Sequence, residues 1–348
     1  MYPNYTRRQG SHEKILVTGA CGFIGHHFVE HLLKNTDWDI VVLDRLNYAG
    51  TLDRLRDIKA FDENRVQLFV ADFTLPVTEN LAKEIGGVDY IVHMGAETHV
   101  DNSIEDPWPF INSNVIGTYR MLEFAKSQPL LKKFLYFSTD EVFGPAPSGV
   151  WYKEGDRHNP SNPYSAAKSG GEQLCIAYAN TYKIPILITN TMNVFGERQH
   201  PEKFIPLSVK KVLSGEEVII HSNKEKTKAG SRFYIHARNV SDAVLFLLLK
   251  SSETLDIHDP GKGKYNIVGE KEIDNLSLAK LIAKILDKPL RYQMIDFHSS
   301  RPGHDLRYAL DDRKMRSFGW SPPVGVEKSL EKTIQWMLLP ENKRWLDE

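Results

Sequence analysis

Cysteine is scarce. Only Cys21 and Cys175 occur among 348 residues, so neither a disulfide framework nor a cysteine-rich zinc motif can be written. That usage suits a reducing compartment, and a cytoplasmic location is expected. Long apolar runs are also missing. None approaches the roughly 20 residues that span a bilayer, and the stretch around Arg7, Arg8 and Gln9 lacks a secretory apolar core, so no membrane association is expected. Charge of one sign is not in excess either: 44 Lys and Arg stand against 45 Asp and Glu, which gives no electrostatic footing for nucleic acid. What remains, 41% hydrophobic and 26% charged, is the composition of a water-soluble globular protein. Its length exceeds the usual single core, so a large domain with a smaller lobe is expected.

Residues 1–12 are polar and aperiodic and read as a tail. From Lys14 onward, short apolar runs alternate with amphipathic segments. Ile15–Thr18, Ile40–Leu43, Val66–Val70, Tyr90–His93, Phe134–Phe137 and Ile186–Thr189 read as strands. Alternation of this kind predicts an α/β fold with a doubly wound parallel sheet over residues 13–190. After about Asn190 the rhythm breaks into Pro- and Lys-rich loops, with later helices at Leu276–Leu286 and Leu330–Leu339. Residues 191–348 therefore read as mainly a smaller mixed α/β substrate lobe, some segments of which return to the first domain. No internal repeat is visible.

The first strand runs into Gly19-Ala-Cys-Gly22-Phe-Ile-Gly25 and then an amphipathic segment, His26 to Lys34. Glycines there permit a tight turn and let backbone approach a pyrophosphate, whose charge a helix N-terminus favours. Three glycines alone describe many turns. Asp44, at the end of the next strand, adds a carboxylate that can accept both hydroxyls of an adenosine ribose and repel a 2′-phosphate, so NAD is expected over NADP; the neighbouring Arg45 softens that repulsion. A second constellation is Tyr164-Ser-Ala-Ala-Lys168, whose four-residue spacing places phenol and ammonium on one helix face. An ammonium beside a phenol favours the phenolate, so Tyr164 can take the proton of a sugar hydroxyl while hydride leaves the same carbon.

The strand at Phe134–Phe137 ends in Ser138-Thr139-Asp140-Glu141-Val142-Phe143-Gly144. Adjacent acids in a loop are commonly solvated, but these stand at the C-terminal edge of a parallel strand, where such sheets bind ligands. Two carboxylates there can have their pKa values pushed apart, one serving as acid and the other as base.

With these motifs the chain resembles the dTDP-glucose 4,6-dehydratases and related UDP-sugar 4,6-dehydratases of the extended short-chain dehydrogenase type. The glycine spacing GxxGxxG, the Tyr164/Lys168 pair and the Thr139-Asp140-Glu141 run carry the likeness, with Phe143 where that family usually has Tyr. Further matches are Leu43-Asp44-Arg45-Leu46-Asn47-Tyr48-Ala49-Gly50, Ala96-Glu97-Thr98-His99-Val100-Asp101-Asn102-Ser103, Pro201-Glu202-Lys203-Phe204-Ile205-Pro206 and Arg301-Pro302-Gly303-His304-Asp305. The likeness implies a Rossmann fold and a three-stage reaction: oxidation at C4 of the sugar, elimination of water across C5 and C6, and return of the hydride to C6. Thr139, Asp140, Glu141, Tyr164 and Lys168 would be catalytic. Glu141 would take the C5 proton, Asp140 would donate to the departing oxygen, and Thr139 would hold the C4 oxygen with Tyr164. The resemblance also implies that Gly19, Gly22, Phe23, Ile24, Gly25, Asp44, Asn47, Asp72, Phe73, Ala96 and Ser113, with Tyr164 and Lys168, line the NAD site, Asp72 reaching the adenine. Thr98, Asn193, Lys203, Arg232, Asn266, Arg301 and His304 would hold the nucleotide-diphosphate sugar.

Departures from the dTDP-type pattern are local. The segment Ser222–Gly230 is lysine-rich where the family has a short glycine turn, the linker from Pro145 to Pro163 is short, and Asn102 stands where Arg is common; the last two features resemble UDP-sugar enzymes. The base and the sugar therefore stay open. A 4-epimerase needs no acid pair at 140 and 141, a UDP-glucuronate decarboxylase carries Ser where Asp140 stands, and a C5-inverting dehydratase places Lys where Glu141 is. A non-catalytic NAD-binding sensor or scaffold would lack the tyrosine. His27 and His31, four apart, read as an exposed helix face rather than a metal site, and no metal is expected. The resemblance further implies a homodimer through two long helices, Pro107–Ser127 and Ser165–Tyr182.

Overall fold

The computed structural model describes residues 12–47, 49–296 and 306–347. Most of the polar N-terminal segment, Tyr48, and the expected ligand residues Arg301 and His304 lie outside these described residues. Seven parallel strands form the central sheet in the order β11-β6-β5-β4-β1-β2-β3. They are β1 (Lys14–Thr18), β2 (Asp39–Asp44), β3 (Val66–Val70), β4 (Tyr90–His93), β5 (Lys133–Thr139), β6 (Ile186–Thr191) and β11 (Lys264–Ile267). The short pairs β7 (Val194–Phe195) with β10 (Ile235–His236), β9 (Ser231–Arg232) with β12 (Ile273–Asp274), and β8 (Val218–Ser222) with β13 (Tyr292–Asp296) stand apart from it. The doubly wound α/β class expected from the alternation is the fold observed. The order reverses between β1 and β4, so the crevice at their C-terminal ends is the topological switch point.

The sheet is buried on both faces because its apolar residues alternate. Ile15, Val17, Ile40 and Val42 point to a core shared with α1 (Phe23–Asn35) and α9 (Ala237–Lys250); Leu16, Val41 and Leu43 point to the opposite core. In the first core Phe28, Val29 and Leu32 of α1 meet Val240, Val244 and Leu247 of α9. Between α1 and α9 in chain order come α2 (Leu52–Arg56), α3 (Glu79–Ile85), α4 (Val100–Glu105), α5 (Trp108–Ile111), α6 (Gly117–Lys126), α7 (Pro163–Tyr182) and α8 (Phe204–Ser214). Met121, Leu122 and Phe124 of α6 and Cys175 of α7 fill the second core.

The long helix expected over Pro107–Ser127 is interrupted: α5 and α6 flank one wide turn of π-helix, Asn112–Ile116. An extra residue in a helical turn re-aims the side chains that follow it. Here the turn also lies against α7 at Gly171, where a Cβ would come within 2.2 Å of the Tyr136 hydroxyl and 2.7 Å of the Asn114 carbonyl. A third core, formed by Ile205 and Val209 of α8, Leu278 and Ile282 of α10 (Asn275–Ile285), and Leu330 and Ile334 of the helix Val326–Leu338, builds the smaller C-terminal lobe. It places the loops around Lys203, Arg232 and Asn275 opposite the sheet edge.

Candidate active site

The glycine turn between β1 and α1 is forced by contact. At Gly25 a Cβ would stand 2.2 Å from the Gly19 carbonyl, and at Gly19, whose φ is +70°, it would stand 2.7 Å from the Gly95 backbone. Helix α1 begins at Phe23 with no side-chain cap on Gly22, leaving its first N–H groups toward the crevice. Asp44, at the end of β2, is buried; its carboxylate accepts the N–H of Cys21 at 2.8 Å and that of Leu46 at 2.9 Å. Arg45 is ion-paired to Glu97, and the Asn47 amide donates to the same carboxylate at 2.8 Å. The guanidinium next to Asp44 is thereby committed to the protein.

The acid pair follows β5 in a short 3-10 turn, Asp140–Phe143. Thr139 Oγ1 donates to Asp140 Oδ1 at 3.0 Å and accepts the Glu141 N–H at 3.3 Å. Asp140 is buried, its Oδ2 has no protein partner among the described residues, and its pKa is pushed up to about 7, by burial first and by the Glu141 charge second, against the pull of Arg232. A carboxyl that is still about half protonated at neutral pH can donate a proton. Phe143 is fully buried, stacked on Tyr152 with centroids 5.6 Å apart, so in this chain the position serves packing.

Tyr164 and Lys168 share a face of α7 and line the same cavity. Their electrostatics differ from the expected pair. Lys168 Nζ donates to the Phe137 carbonyl at 2.6 Å, and burial, opposed by Glu172, draws its pKa down to about 8. Burial, followed by the Glu141 charge, pushes the Tyr164 phenol well above its ordinary value, with a Thr139 hydrogen bond pulling the other way. The spacing brought the two groups to one face. The β5 carbonyl, which sequence spacing does not reveal, took the ammonium's hydrogen bond.

One cavity of about 450 Å³ collects most of the expected residues. Gly19, Gly22, Phe23, Ile24, Gly25, Asp44, Asn47, Phe73 and Ala96 line one arm, Thr139, Asp140, Glu141, Tyr164 and Lys168 the middle, and Thr98, Asn193, Lys203 and Arg232 the other. Asn193 Oδ1 is buried without a partner among the described residues, and Arg232 lies over the Tyr308 ring at 4.7 Å. Of the expected residues that are described, three fall outside the lining. Asp72, at the end of β3, turns its carboxylate onto the Thr74 N–H (2.9 Å). Ser113 is buried in the π-turn, where its hydroxyl accepts the Glu97 N–H at 3.2 Å and so braces the loop that carries Ala96 and Thr98. Asn266, on β11, spends its side-chain N–H groups on the carbonyls of Tyr152 (3.0 Å) and Asp311 (3.1 Å), while its buried Oδ1 has no partner among the described residues.

Several lining residues escaped the sequence. Asn275, which accepts the Tyr234 hydroxyl at 2.8 Å, and Tyr234 and Tyr308 face Arg232 in the cavity. His99 and Glu202, in separate lobes, meet across it at 3.3 Å. Residues placed singly on loops carry no periodic signal, although Asn275 follows a visible helix-capping Asp274. His27 was expected on an exposed face. It is buried, with Nε2 at 3.0 Å from the Glu197 carbonyl, because α9 and the loop after β7 cover that side of α1. Among the described residues no helix is long and apolar enough to cross a membrane.

A Gly-rich turn at a switch point, a buried carboxylate at the end of the second strand and a Tyr/Lys helix beside an acid pair define a dinucleotide-dependent enzyme scaffold of the extended short-chain type. Residues 15–267 match the model of the NAD dependent epimerase/dehydratase family. A dTDP-glucose 4,6-dehydratase of Escherichia coli is 35% identical, with 95% of each chain covered. The trifunctional UDP-glucose 4,6-dehydratase/UDP-4-keto-6-deoxy-D-glucose 3,5-epimerase/UDP-4-keto-L-rhamnose-reductase of Arabidopsis thaliana is 33% identical over 96% of this chain, which spans 48% of that protein. Among solved structures, a Streptomyces venezuelae dTDP-glucose 4,6-dehydratase with NAD and dTDP bound superposes with a TM-score of 0.81 at 34% identity, covering 95% of this chain and 98% of that one. The Thermus thermophilus UDP-glucose 4-epimerase with NAD gives the same TM-score at 26% identity, covering 92% and 98%. The chain belongs to the NAD-dependent epimerase/dehydratase family.

Proposed function

We propose that this protein is an NAD-dependent nucleotide-diphosphate-sugar 4,6-dehydratase, converting a dTDP- or UDP-linked hexose to its 4-keto-6-deoxy form. One observation carries the reading: Asp140, buried with a pKa of about 7, stands directly beside Glu141 in the cavity that also holds Tyr164. Epimerase and dehydratase share the fold to the same TM-score, so the backbone alone does not choose between them. A paired acid and base next to the hydride-transfer tyrosine is what elimination requires and epimerisation does not.

The turn with Gly19, Gly22 and Gly25 fits the pyrophosphate of NAD, since the cradle has no room for a side chain at Gly19 or Gly25, and Asp44 fits the adenosine ribose. When bound, NAD supplies a hydride acceptor at C4 of the sugar and a hydride donor at C6. Thr139 and Tyr164 hold the C4 oxygen, Tyr164 taking its proton once the positive charges of the bound cofactor and of Lys168, on the same helix face, offset the burial that raises the phenol. The C4 ketone acidifies the C5 hydrogen, which Glu141 removes. Asp140, about half protonated at neutral pH, gives its proton to the C6 oxygen as water departs. Arg232, Lys203 and Asn193 are suited to the diphosphate and base, and Asp72 stays the candidate for the adenine edge.

We further propose a cytoplasmic homodimer, for which Ile104, Trp108, Ile111 and Tyr182 supply exposed apolar surface along α4, α5 and α7. The deciding assay offers dTDP-glucose, UDP-glucose and UDP-N-acetylglucosamine separately and follows loss of one water by mass spectrometry. Dehydration of at least one is expected; none with all three substrates would overturn the reading.

A further inference from the structure

Asn162 precedes helix α7, and its side-chain amide is used at both ends. Its Oδ1 accepts the Ser165 N–H at 2.9 Å, while the Ser165 hydroxyl accepts the Asn162 N–H at 3.3 Å, a reciprocal capping box. Its Nδ2 donates to Glu141 Oε2 at 3.3 Å. Asn162 is buried, and Pro163 fixes the first helical residue after it. The helix so capped carries Tyr164 two residues on and Lys168 one turn later. A second tie, from the Asn159 N–H to the Val142 carbonyl at 2.9 Å, holds the same approach segment against the 3-10 turn that bears Glu141.

We infer that Asn162 is the positioning residue for the proposed C5 base, locking the Glu141 carboxylate to the start of the helix that carries the hydride-transfer tyrosine. The inference rests on the proposed dehydratase role of Glu141. Asparagine is the residue type this double task needs. Serine caps a helix equally well but is too short to reach Glu141, and aspartate caps but offers no donor and sets a like charge against the base. Because the amide is planar, fixing its oxygen on the Ser165 N–H fixes the direction of its N–H bonds, so the cap geometry sets where Glu141 is held. A donated hydrogen bond also favours a carboxylate's ionised form. Among the other groups acting at this corner are Asp140, the neighbour in the turn, Tyr164 from α7 and Arg232 on β9.

The test uses full-length Asn162→Ser and Asn162→Asp beside Glu141→Gln. Both Asn162 variants keep a capping oxygen, so thermal unfolding is expected within a few degrees of the parent. With the substrate that the parent dehydrates, C4 oxidation is expected to persist in both, read as transient reduced-cofactor absorbance. Water loss and solvent-deuterium incorporation at C5 are expected to fall about 10- to 100-fold, the value of one hydrogen bond to a charged group. In Asn162→Asp the acid limb of the kcat/KM profile is expected to move to higher pH, a change that a merely structural cap would not cause. Unchanged C5 exchange and an unchanged acid limb in both variants, with Glu141→Gln impaired, would overturn this inference alone. Normal elimination by Glu141→Gln would overturn the base assignment and this inference together.

Discussion

The Asp44 carboxylate accepts the Cys21 N–H at 2.8 Å, so the side chain proposed to read the ribose also closes the glycine turn proposed to hold the pyrophosphate. Asp44→Ala removes an acceptor from the buried Cys21 N–H and the half-buried Leu46 N–H, as well as the proposed ligand to the sugar hydroxyls. Loss of about 1–3 kcal/mol of stability is expected by denaturant titration, with NAD affinity lowered more than tenfold by fluorescence titration.

Arg45 is held by Glu97, and that ion pair keeps a guanidinium from serving a 2′-phosphate. Glu97→Ala is expected to free it. The ratio of NADP to NAD affinity should rise roughly 5- to 20-fold. No change in the ratio would show that Asp44 alone excludes the phosphate.

Asp140 titrates near 7 in the fold against an ordinary value of 3.8. As the proposed acid it must be protonated, so the elimination rate is expected to fall as pH rises above about 7, an alkaline limb that disappears in Asp140→Asn with the activity itself. The stability consequence has a definite sign. A carboxyl whose folded pKa is raised favours the folded state most below 3.8 and loses that contribution as pH climbs from 3.8 to about 7. At pH 8 Asp140→Asn is therefore expected to be more stable than the parent, by up to about 4 kcal/mol, while dehydrating poorly. Calorimetry at pH 5 and pH 8 separates the two effects, since the gain should be smaller at the lower pH.

Gly171 lets α7 approach Tyr136 and the π-turn at Asn114. Gly171→Ala puts a methyl where neither partner can yield freely. A cost of about 1–3 kcal/mol is expected in chemical denaturation, with Tyr164 and Lys168 displaced and kcat reduced more than KM.

Much of this was legible in the sequence for local reasons. Ile15–Thr18 and Tyr90–His93 were readable as strands because two-sided burial makes a strand nearly uniformly apolar, and Gly25 because its role is steric and acts within one turn. Asp140 and Glu141 could be placed because a strand end in a parallel sheet is itself a location. The π-turn at Asn112–Ile116 was not legible, since a single wide turn leaves the helical period nearly intact on both sides.

The sequence by itself determined the doubly wound sheet, the nucleotide turn and the candidate acid, base and tyrosine, all of which depend on neighbours within a few residues. Tertiary structure alone decided that Asn266 staples Tyr152 to Asp311 while Asn275 faces the cavity, that Lys168 spends its hydrogen bond on the Phe137 carbonyl, and that burial raises the Asp140 carboxyl to about 7. Those outcomes depend on burial and on partners up to 114 positions away in the chain, as for Asn266 and Tyr152. Desolvation and hydrogen-bond satisfaction belong to the packed site, and no spacing of residues along the chain encodes them.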